Sequence, residues 1–551
     1  MVRADFQHRS GVDPSVLGSL PRSDAPADLM AWGKHVARMH RGAFAFCVAS
    51  ADGGWSVLAR DIIGARPLYM AHSNGRVLCA ESIQRLLSTL EDRPSLDPTR
   101  IADALMPIQE FSDAERTCFL GVEAVPPGHV VVVSGGVVHK ERYWSPPRHV
   151  LPADATDRDY EEGLYDTLRD AVAHASDVEH DVGVLMSGGI DSVSVASLLA
   201  SLRPPARTVS LVGDEDGPCP ERFFVREAAQ MLALDDVQLT PREAAAHDEG
   251  VLEFLATADD PFVLGVFPLP IMGLLRAAGS GRSRMLTGLC GDLLSGSPWR
   301  AEREVLLREG PVAGARTIVA LHGEGARSLA LRARLARRAV GLALPSVVRR
   351  ARYQRLQRSH WKQLRTSSYI RSEFASETDL EDRWRVTHAR IWGPQPGSDR
   401  DGQFARLCEP TLGRALERYA RAAAFAGVAI DHPLVDRMAL EFSLAAPPRQ
   451  RLLGGLPKGL LRRAMAGHVP ESVRARVDRL NPADHHTYAF TERNWGALVD
   501  GLETHREAMD PFVDTERVTA ALERCEAELH AGTAHELWSL FVLGAFLHRF
   551  G

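Results

Sequence analysis

The pattern of hydrophobic and polar positions changes at about residue 156. Between about 43 and 145, apolar runs alternate with short turn sequences: GAFAFCVAS, GWSVLARD, RPLYMAHS and GHVVVVSGGVVHKERYW are separated by ADGG, HSNG and PPG. Short apolar runs broken by glycine and proline are typical of β-strands joined by tight turns. The pattern therefore predicts an antiparallel β-rich domain within residues 1–150, with one amphipathic helix around 27–40.

A proline-rich link, SPPRHVLPAD (145–154), precedes a segment in which strands and helices alternate. A helical stretch (158–177) leads into the apolar strand DVGVLM and the helical run DSVSVASLLASL. The strand ARTVSLVG (206–213) and a helix (221–233) follow. Such alternation predicts an α/β fold, with a parallel sheet between helices in a second domain over 151–551, mostly helical after its sheet.

Composition narrows the class of protein without naming a ligand. The chain has 551 residues, 45% of them hydrophobic and 25% charged, with a formal net charge of −6. This mild acidity gives no argument for nucleic acid binding, and no run of about 18 apolar residues predicts a membrane span. The amino terminus lacks the apolar run of a signal peptide, so we expect a cytoplasmic protein.

Seven cysteines are scattered singly along the chain, with no C-x-x-C pair. They are Cys47, Cys79, Cys118, Cys219, Cys290, Cys408 and Cys525. Isolated cysteines are typical of reduced thiols, and they favour neither a disulfide framework nor a zinc site.

One helical segment, 327–365, carries twelve arginines and lysines and no acidic residue. It belongs to an Arg-rich helical insert around 300–400. A run of like charge is most often a solvated helix face. The functional alternative is a docking surface for an acidic partner or peptide.

The sequence LMSGGIDS (185–192) places two glycines between a buried strand and a helix. Glycines permit close backbone approach, and successive N–H groups at a helix amino terminus form an anion cradle. Ser187 and Ser192 add hydroxyl groups, and Asp191 is a ligand type that Mg²⁺ prefers beside phosphates. The alternative is an ordinary strand–turn–helix with Asp191 capping the helix.

SGGIDS resembles the pyrophosphate loop of the ATP pyrophosphatases, and its neighbours resemble motifs of the asparagine synthetase family. The resemblance covers roughly residues 27–490. Its further motifs stand in the family's order: LARDIIGARPLYM (58–70), CAESIQRLL (79–87), PPGHVVVV…RYW (126–144), TGLCGDLLSGSP (287–298), DHPLVDRMALEF (431–442) and LPKGLLRRAM (456–465). The first three resemble the family's amino-terminal glutaminase-type domain. Several motifs in order are far more specific than one loop.

The resemblance implies ATP and Mg²⁺ as cofactors and a role for each matching residue. Ser187, Gly188, Gly189 and Ser192 would bind the pyrophosphate of ATP; Asp191 and Asp292 would hold Mg²⁺; Ser210 and Gly288 would lie near the adenosine. The implied chemistry is adenylation of a carboxylate, release of pyrophosphate and attack of an amine on the acyl adenylate.

The chain departs from the family pattern in its amino-terminal domain. Glutamine-using members carry a cysteine directly after the initiator methionine, whereas this chain has Val2, which offers no nucleophile. The GAFAF strand also begins after only about 42 residues. We therefore expect a trimmed glutaminase-like domain that serves as a scaffold and does not hydrolyse glutamine.

Further departures concern the ligase site. Leu289 stands where asparagine synthetases carry a glutamate, and Arg479 stands where the family usually has a lysine that contacts phosphates. Arg479 supplies positive charge but does not substitute freely for lysine at a tight phosphate contact. Lys458 is the alternative catalytic cation. His485 and His486 follow closely as candidate bases, although adjacent histidines are more often a polar loop.

Loss of the glutaminase with retention of the ATP loop resembles members that make other amides, such as β-lactam synthetases and lasso peptide macrolactam cyclases. The Arg-rich insert and LLRRAMAGHVPESVRARVDR favour a cyclase, in which a precursor peptide's Asp or Glu side chain is adenylated and attacked by the peptide's own amino terminus. A leader-binding protein and a protease would then be partners. The alternatives are a small-molecule amide synthetase using ammonia or an amine, including asparagine synthetase, and a degenerate scaffold.

Overall fold

A computed structural model describes residues 23–551 of the chain, apart from short internal segments. The segments outside the description are 74–75, 110–111, 149, 153, 178–180, 214–220, 263–268, 278–283, 296–297, 323–332, 334–335, 338–339, 342–343, 394–397, 478–481 and 530.

The amino-terminal part is built from antiparallel strands. They are β1 (Ala45–Ala49), β2 (Trp55–Arg60), β3 (Tyr69–Ser73), β4 (Arg76–Ala80), β5 (Val122–Ala124), β6 (His129–Ser134) and β7 (Val137–Arg142). One sheet has the order β1-β2-β6-β7 and the other β4-β3-β5. Leu58 and Val131 of the first sheet share a buried cluster with Met70 of the second, so the two sheets pack face to face. The predicted antiparallel β-rich domain is confirmed.

Short helices cover this sandwich: α1 (Pro26–Met39), α2 (Ile83–Leu87) and α3 (Pro98–Ala104). The predicted helix around 27–40 is α1. It lies directly on the first sheet because Gly33 has no side chain: a Cβ there would lie 2.7 Å from Val130 Cγ1 and 2.8 Å from Val57 Cγ1. The outer face of the sheet is thereby covered.

The second part is organised around a parallel sheet. Its strands are β8 (Val182–Leu185), β9 (Arg207–Leu211), β10 (Asp235–Leu239), β11 (Arg284–Thr287) and β12 (Ala429–Asp431), in the order β10-β9-β8-β11-β12. From β8 the chain moves outward to β9 and β10, and it then returns to the other side of β8 with β11. The strand order therefore reverses between β8 and β11, and ligands of open α/β sheets bind at the carboxyl ends of strands at such a switch point.

Helices surround the sheet and extend beyond it. They are α4 (Asp157–Ser176), α5 (Ile190–Leu202), α6 (Glu221–Leu232), α7 (Pro241–Ala246), α8 (Val251–Ala256), α9 (Leu269–Ala277), α10 (Gly291–Ser295), α11 (Pro298–Glu309), α12 (Pro311–His322), α13 (Ser346–Ser367), α14 (Ser372–Glu377), α15 (Leu380–Trp392), α16 (Asp399–Leu407), α17 (Pro410–Phe425), α18 (Arg437–Ala445), α19 (Pro448–Leu452), α20 (Gly459–Ala464), α21 (Glu471–Ala475), α22 (Pro482–Arg493), α23 (Trp495–Thr504), α24 (Arg506–Met509), α25 (Thr515–Ala527) and α26 (Ala531–Phe550), with a 3₁₀ turn at Pro433–Val435. None of the described helices has the length and apolar character needed to cross a membrane.

The parallel sheet has apolar clusters on both faces. Val184 and Leu286 pack with α4 and α5 on one face, whereas Val209 and Met285 pack with α9 and α17 on the other. Burial on both faces explains why DVGVLM is almost continuously apolar. The predicted parallel sheet between helices is confirmed.

Buried ion pairs fasten the two parts together. Arg60 Nη2 of β2 lies 2.7 Å from Glu417 Oε1 of α17, and the two side chains are 1% and 6% exposed. The guanidinium also donates to the carbonyl oxygens of Arg66, Val125 and Gly64. The amino-terminal part is therefore packed as one body with the parallel-sheet part.

Candidate active site

The loop after β8 is held in a tight curve by the first turn of α5. The Ser187 N–H donates to Ser192 Oγ at 3.0 Å, and Ser192 Oγ donates to the Ser187 carbonyl oxygen at 2.8 Å. Gly189 precedes the helix in an extended conformation, with φ −89° and ψ 151°. The N–H groups at the start of α5 open on a cavity that Ser187 and Gly189 line. This arrangement suits an anion at a helix amino terminus.

The back of the same loop is closed by a buried ion pair. Arg476 donates to both carboxylate oxygens of Glu221, at 2.6 and 2.9 Å, and to the Gly188 carbonyl oxygen at 3.1 Å. The Gly188 N–H donates to Glu221 at 3.2 Å. A Cβ on Gly188 would lie 2.6 Å from Phe224 Cβ. Gly188 is therefore a glycine because the loop packs closely behind it, and its own N–H is engaged on that side.

A second loop, which follows β11, lies against the first turn of α5. A Cβ on Gly288 would lie 2.4 Å from the backbone nitrogen of Ser192, and one on Gly291 would lie 2.2 Å from Asp191 Cγ. Cys290 between them adopts a left-handed φ of 68°. Only glycines at both positions permit this approach. The predicted phosphate loop and the predicted second Mg²⁺ loop are therefore in direct contact.

Two aspartates from these loops converge on one lysine. Lys458 Nζ contacts Asp191 Oδ2 and lies 3.1 Å from Asp292 Oδ1. Lys458 has a left-handed φ of 61° at the residue before α20, which aims its side chain back at the loops. The side chains of Lys458 and Asp191 are 12% and 19% exposed, whereas Asp292 is 55% exposed. Three of the residues predicted from sequence are thus brought together by the fold.

The carboxylates fit a Mg²⁺ site of the kind that substrate phosphates complete. Asp191 and Asp292 both bind the same cationic group in this structure, so their oxygens face a common space. Mg²⁺ is usually bound by one or two carboxylates together with phosphate oxygens and water. Within the described residues, no group of three or more His, Cys, Asp or Glu side chains is placed to hold a metal.

The cavity in front of the loops has a volume of ≈ 230 Å³. Its polar end is lined by Ser187, Asp191 and Ser192. Its other wall is apolar, and the side chains that form it come from β9, α9 and the second loop: Val209, Leu211, Leu274 and Leu289. Small-molecule sites commonly combine such apolar walls with a few placed polar groups. A flat aromatic base at the apolar wall and phosphates at the cradle match this division.

The Ser210 side chain faces away from the cavity, and its place near the adenosine stays a prediction. Ser210 Oγ donates to Asp236 Oδ1 at 2.9 Å, and Thr208 Oγ1 donates to the same oxygen at 2.6 Å. Alternate residues of a strand face opposite sides, so Val209 and Leu211 line the cavity while Ser210 faces away. Gly288, by contrast, lines the cavity as predicted.

A buried threonine–histidine contact lies under the cavity floor. Thr287 Oγ1 lies 2.6 Å from His432 Nδ1 and accepts the Leu289 N–H at 3.2 Å. Burial, and then the charge of Arg66, lower the pKa of His432 to about 3, so the ring is neutral at physiological pH. Sequence reasoning missed this pair, although DHP marks the histidine. Leu289 itself lines the cavity and provides no acid or base there.

The remaining candidate cations and bases fall elsewhere. Arg479 lies outside the described residues, and the side chain of His485 is also outside them. His486 is fully buried with Nε2 3.4 Å from Asp248 Oδ2, and it lines neither the cradle nor the cavity. Arg476, three residues before Arg479, is the guanidinium that reaches the phosphate loop.

Two sequence families match the chain. The asparagine synthase family matches residues 163–548, and the glutamine amidotransferase domain matches residues 27–144. The first match includes the cradle, the second loop and Lys458, so the contacts described above lie within it.

Curated relatives match a smaller part. An amidase, chyE, of Penicillium rubens is 30% identical over 214 residues, which are 35% of this chain and 31% of the amidase. Asparagine synthetase [glutamine-hydrolyzing] 1 of Bacillus subtilis is 26% identical over 208 residues, 37% of this chain and 32% of the synthetase. A putative asparagine synthetase [glutamine-hydrolyzing] of Mycobacterium tuberculosis is 26% identical over 221 residues, which are 37% of this chain and 33% of that putative synthetase. The chain thus spans about a third of the length of these relatives.

Proposed function

Because this chain belongs to the asparagine synthase family, we propose that it is an ATP-dependent, AMP-forming ligase that joins a carboxylate to an amine. One observation carries the proposal: Asp191 and Asp292, from separate motifs, meet the ammonium group of Lys458 beside the cradle. A degenerate scaffold has no need for this arrangement of partly buried charges, which is costly unless they are used or paired.

In the first step the substrate carboxylate attacks the α-phosphorus of ATP, and pyrophosphate leaves as the acyl adenylate forms. The α5 amino terminus and Ser187 hold the leaving pyrophosphate, and Lys458 balances the charge that develops on it. Asp191 and Asp292 would hold Mg²⁺, which would supply further positive charge to that leaving group. The apolar wall at Val209 and Leu211 positions the base and excludes water.

In the second step an amine attacks the acyl carbon, AMP leaves and the nitrogen releases a proton. Leu289 offers no group to receive that proton. A tethered amine lessens the cost, since an intramolecular attack replaces a bimolecular encounter and lowers the barrier by several kcal/mol. This favours a substrate that carries both the carboxylate and the amine.

We propose accordingly that the substrate is a precursor peptide, closed into a macrolactam as in lasso peptide biosynthesis. The peptide's Asp or Glu side chain would be adenylated, and its own amino terminus would displace AMP. A leader-binding protein and a protease would act beside the ligase. The Arg-rich insert, which contains α13, supports this choice because it offers a large basic surface to a peptide.

The amino-terminal domain is proposed to be a scaffold. The buried Arg60–Glu417 pair supports this proposal, because it fastens the amino-terminal domain to α17, which lies behind the parallel sheet.

The second candidate is a small-molecule amide synthetase that uses ammonia or another amine, including asparagine synthetase. The cavity, at ≈ 230 Å³, favours it only in being compact. AMP and pyrophosphate formation separates the two candidates. Purified protein with MgATP would be given aspartate plus ammonium, or a short precursor peptide encoded beside the gene, with Asp191→Ala as control.

AMP formed only with the peptide, together with the loss of one water from the peptide's mass, is the expected result. AMP formed with the small acid alone would replace the cyclase with a small-molecule synthetase. Nucleotide binding without AMP formation under every condition, with and without a leader-binding protein, would reject the ligase.

A further inference from the structure

Helix α13 is attached to the protein along one face only. Tyr353 Oη lies 2.7 Å from His388 Nδ1 of α15, and Gln357 Nε2 donates to the Arg385 carbonyl oxygen at 2.7 Å. The Trp361 ring is 5.3 Å from that of Trp384 in α15. Gln357 is the one buried side chain in the helix. The inner face of α13 is therefore polar and aromatic, and most of the other side chains of the helix are exposed.

The outer face carries a stripe of basic side chains. At about 100° per residue, four of them fall within an arc of about 120° that faces away from α15. We call the following set the basic stripe: Arg352, Arg355, Arg358 and Lys362. Arg365 is half-buried and donates to Ser372 Oγ at 3.0 Å. The 22 residues of α13 include no Asp or Glu. Across the part of the chain that the structure describes, no carboxylate pairs with Arg352, Arg355 or Lys362.

This arrangement costs the isolated helix stability. Like charges three or four residues apart on a helix repel one another, and the stripe repeats that spacing along its length. The repulsion continues at both ends of α13. Arg349 lowers the pKa of Arg303 in α11, and Arg517 lowers the pKa of Arg365, in each case after the larger effect of burial. A complementary anionic ligand would relieve this repulsion.

One end of α13 lies near α11, a helix that follows the candidate active site in the chain. Helix α11 begins at Pro298, a few residues beyond Asp292, and Arg303 in its second turn lies close enough to Arg349 for their charges to interact. That end of α13 is therefore close to the helix that follows the Asp292 loop.

We infer that the basic stripe docks an acidic, extended segment of the peptide substrate, an inference that rests on the proposed function. The rise from Arg352 to Lys362 is about 15 Å, which is the length of about four to five residues of extended peptide. Alternate residues of an extended chain share a face at a spacing of about 6.6 Å, close to the helical pitch of 5.4 Å. Acidic side chains at alternate positions therefore match successive basic ones.

Other polyanions fit this surface less well. The exposed apolar residues Val347, Val348 and Leu356 do not share one face of α13, so the helix lacks the apolar side with which helices enter a lipid surface. The chain as a whole carries a net charge of −6, which opposes a long nucleic acid.

The test measures binding in the absence of ATP. The probe is a fluorescein-labelled 12-residue peptide with glutamate at alternate positions, and the matched probe has glutamine there. The variant Arg352→Gln/Arg355→Gln/Lys362→Gln neutralises the stripe without loss of helix propensity. The control Arg158→Gln/Arg242→Gln/Arg506→Gln neutralises three exposed arginines elsewhere.

Fluorescence anisotropy should show that the Kd for the glutamate peptide rises about tenfold in the stripe variant, since three exposed ion pairs contribute a few-fold each. The Kd should be unchanged in the control variant. Raised salt should weaken the wild-type interaction. Equal binding by the stripe variant, or by the glutamine peptide, would overturn the inference. So would stripe-dependent binding of a 20-base-pair DNA duplex or of phosphatidylserine vesicles without binding of the glutamate peptide.

Activity with the precursor peptide separates this inference from the proposed function. The stripe variant should raise the peptide KM and leave kcat unchanged. AMP formation with an unchanged KM would reject the docking surface and keep the ligase. Glutamate-peptide binding without any AMP formation would reject the ligase and keep the stripe as an acidic-peptide surface.

Discussion

The ammonium group of Lys458 lies 3.1 Å from Asp292 Oδ1 and at the same time contacts Asp191. Asp191 and Lys458 are separated by 267 positions in the chain. The lysine holds together two carboxylates that would otherwise repel each other. It also lies where the phosphates of a nucleotide in the cradle would approach. Lys458 is therefore the best-placed described cation for the proposed transfer of an adenylyl group.

Replacement of Lys458 by methionine should lower the rate of pyrophosphate release by about 10²–10³-fold, because a cation aimed at developing phosphate charge is lost. Arginine at the same position should restore part of the rate. Lys34→Met, in an exposed pair on the amino-terminal domain, is the control. A wild-type rate in Lys458→Met, with unchanged thermal stability, would show that another residue supplies the charge.

The two glycines of the cradle should respond differently to alanine. At Gly188 the new Cβ would lie 2.6 Å from Phe224 Cβ, whereas at Gly189 its nearest neighbour would be Ser187 Oγ at 3.4 Å. We expect Gly188→Ala to lower the free energy of unfolding by about 1–3 kcal/mol through overpacking, and Gly189→Ala to change it by less than about 1 kcal/mol. Urea unfolding of both variants measures the difference, and equal losses would contradict it.

The ion pair behind the cradle should show strong coupling. Removal of Arg476 alone leaves the Glu221 carboxylate buried without its partner, which typically costs about 3–5 kcal/mol. The double variant Glu221→Gln/Arg476→Met should therefore cost less than the sum of the single variants. A double-mutant cycle from urea unfolding gives the coupling, and strict additivity would show that the pair contributes nothing to the loop.

The buried contact between Asp248 and His486 should make stability depend on pH. Burial raises the pKa of Asp248 to about 7 and lowers the pKa of His486 to about 4. The folded protein thus holds the aspartate proton up to about pH 7, whereas the unfolded chain releases it near 3.9. For Asp248 the free energy of unfolding therefore falls with rising pH across that window. For His486 it rises between about pH 4 and 6.5, so the two effects oppose each other.

Single variants should separate the contributions of Asp248 and His486 to the pH dependence of stability. In Asp248→Asn only the effect of His486 remains. The free energy of unfolding of this variant should therefore increase, relative to wild type, from pH 4 to 6.5, by at most about 1.4 kcal/mol per pH unit. In His486→Asn only the effect of Asp248 remains, so the free energy of unfolding should decrease from pH 4 to 7. Unfolding curves at closely spaced pH values check both slopes, and parallel pH profiles in the three proteins would rule out the buried pair as their source.

Much of the fold was predictable because its signals are local. The β8 strand, the glycine turn and α5 are contiguous, as are β11 and its glycine-rich loop. The cradle and both aspartates therefore follow from sequence and from the resemblance together. The sequence did not predict that the two loops meet, because the switch point between β8 and β11 follows from the strand order of the folded sheet.

The omissions arise from contacts that no local pattern reveals. Thr208 and Ser210 share one face of β9, and Val209 and Leu211 share the other, but this alternation does not show which face meets the cavity. Lys458 resembles an ordinary helical lysine until its left-handed φ is known. The Arg476–Glu221 pair joins residues 255 positions apart. Such pairs become visible only when the elements are packed.

The Arg60–Glu417 pair has a consequence for how this protein can change over generations. Point substitutions are able to erase a catalytic side chain from the amino-terminal domain at little cost to the rest of the chain. Deletion of the whole domain would remove the Arg60 partner of Glu417 and uncover Leu412 and Leu416, which pack with Ile62 and Ile63. A lineage can thus lose the chemistry of this domain gradually, but it has no single viable step by which to discard the domain.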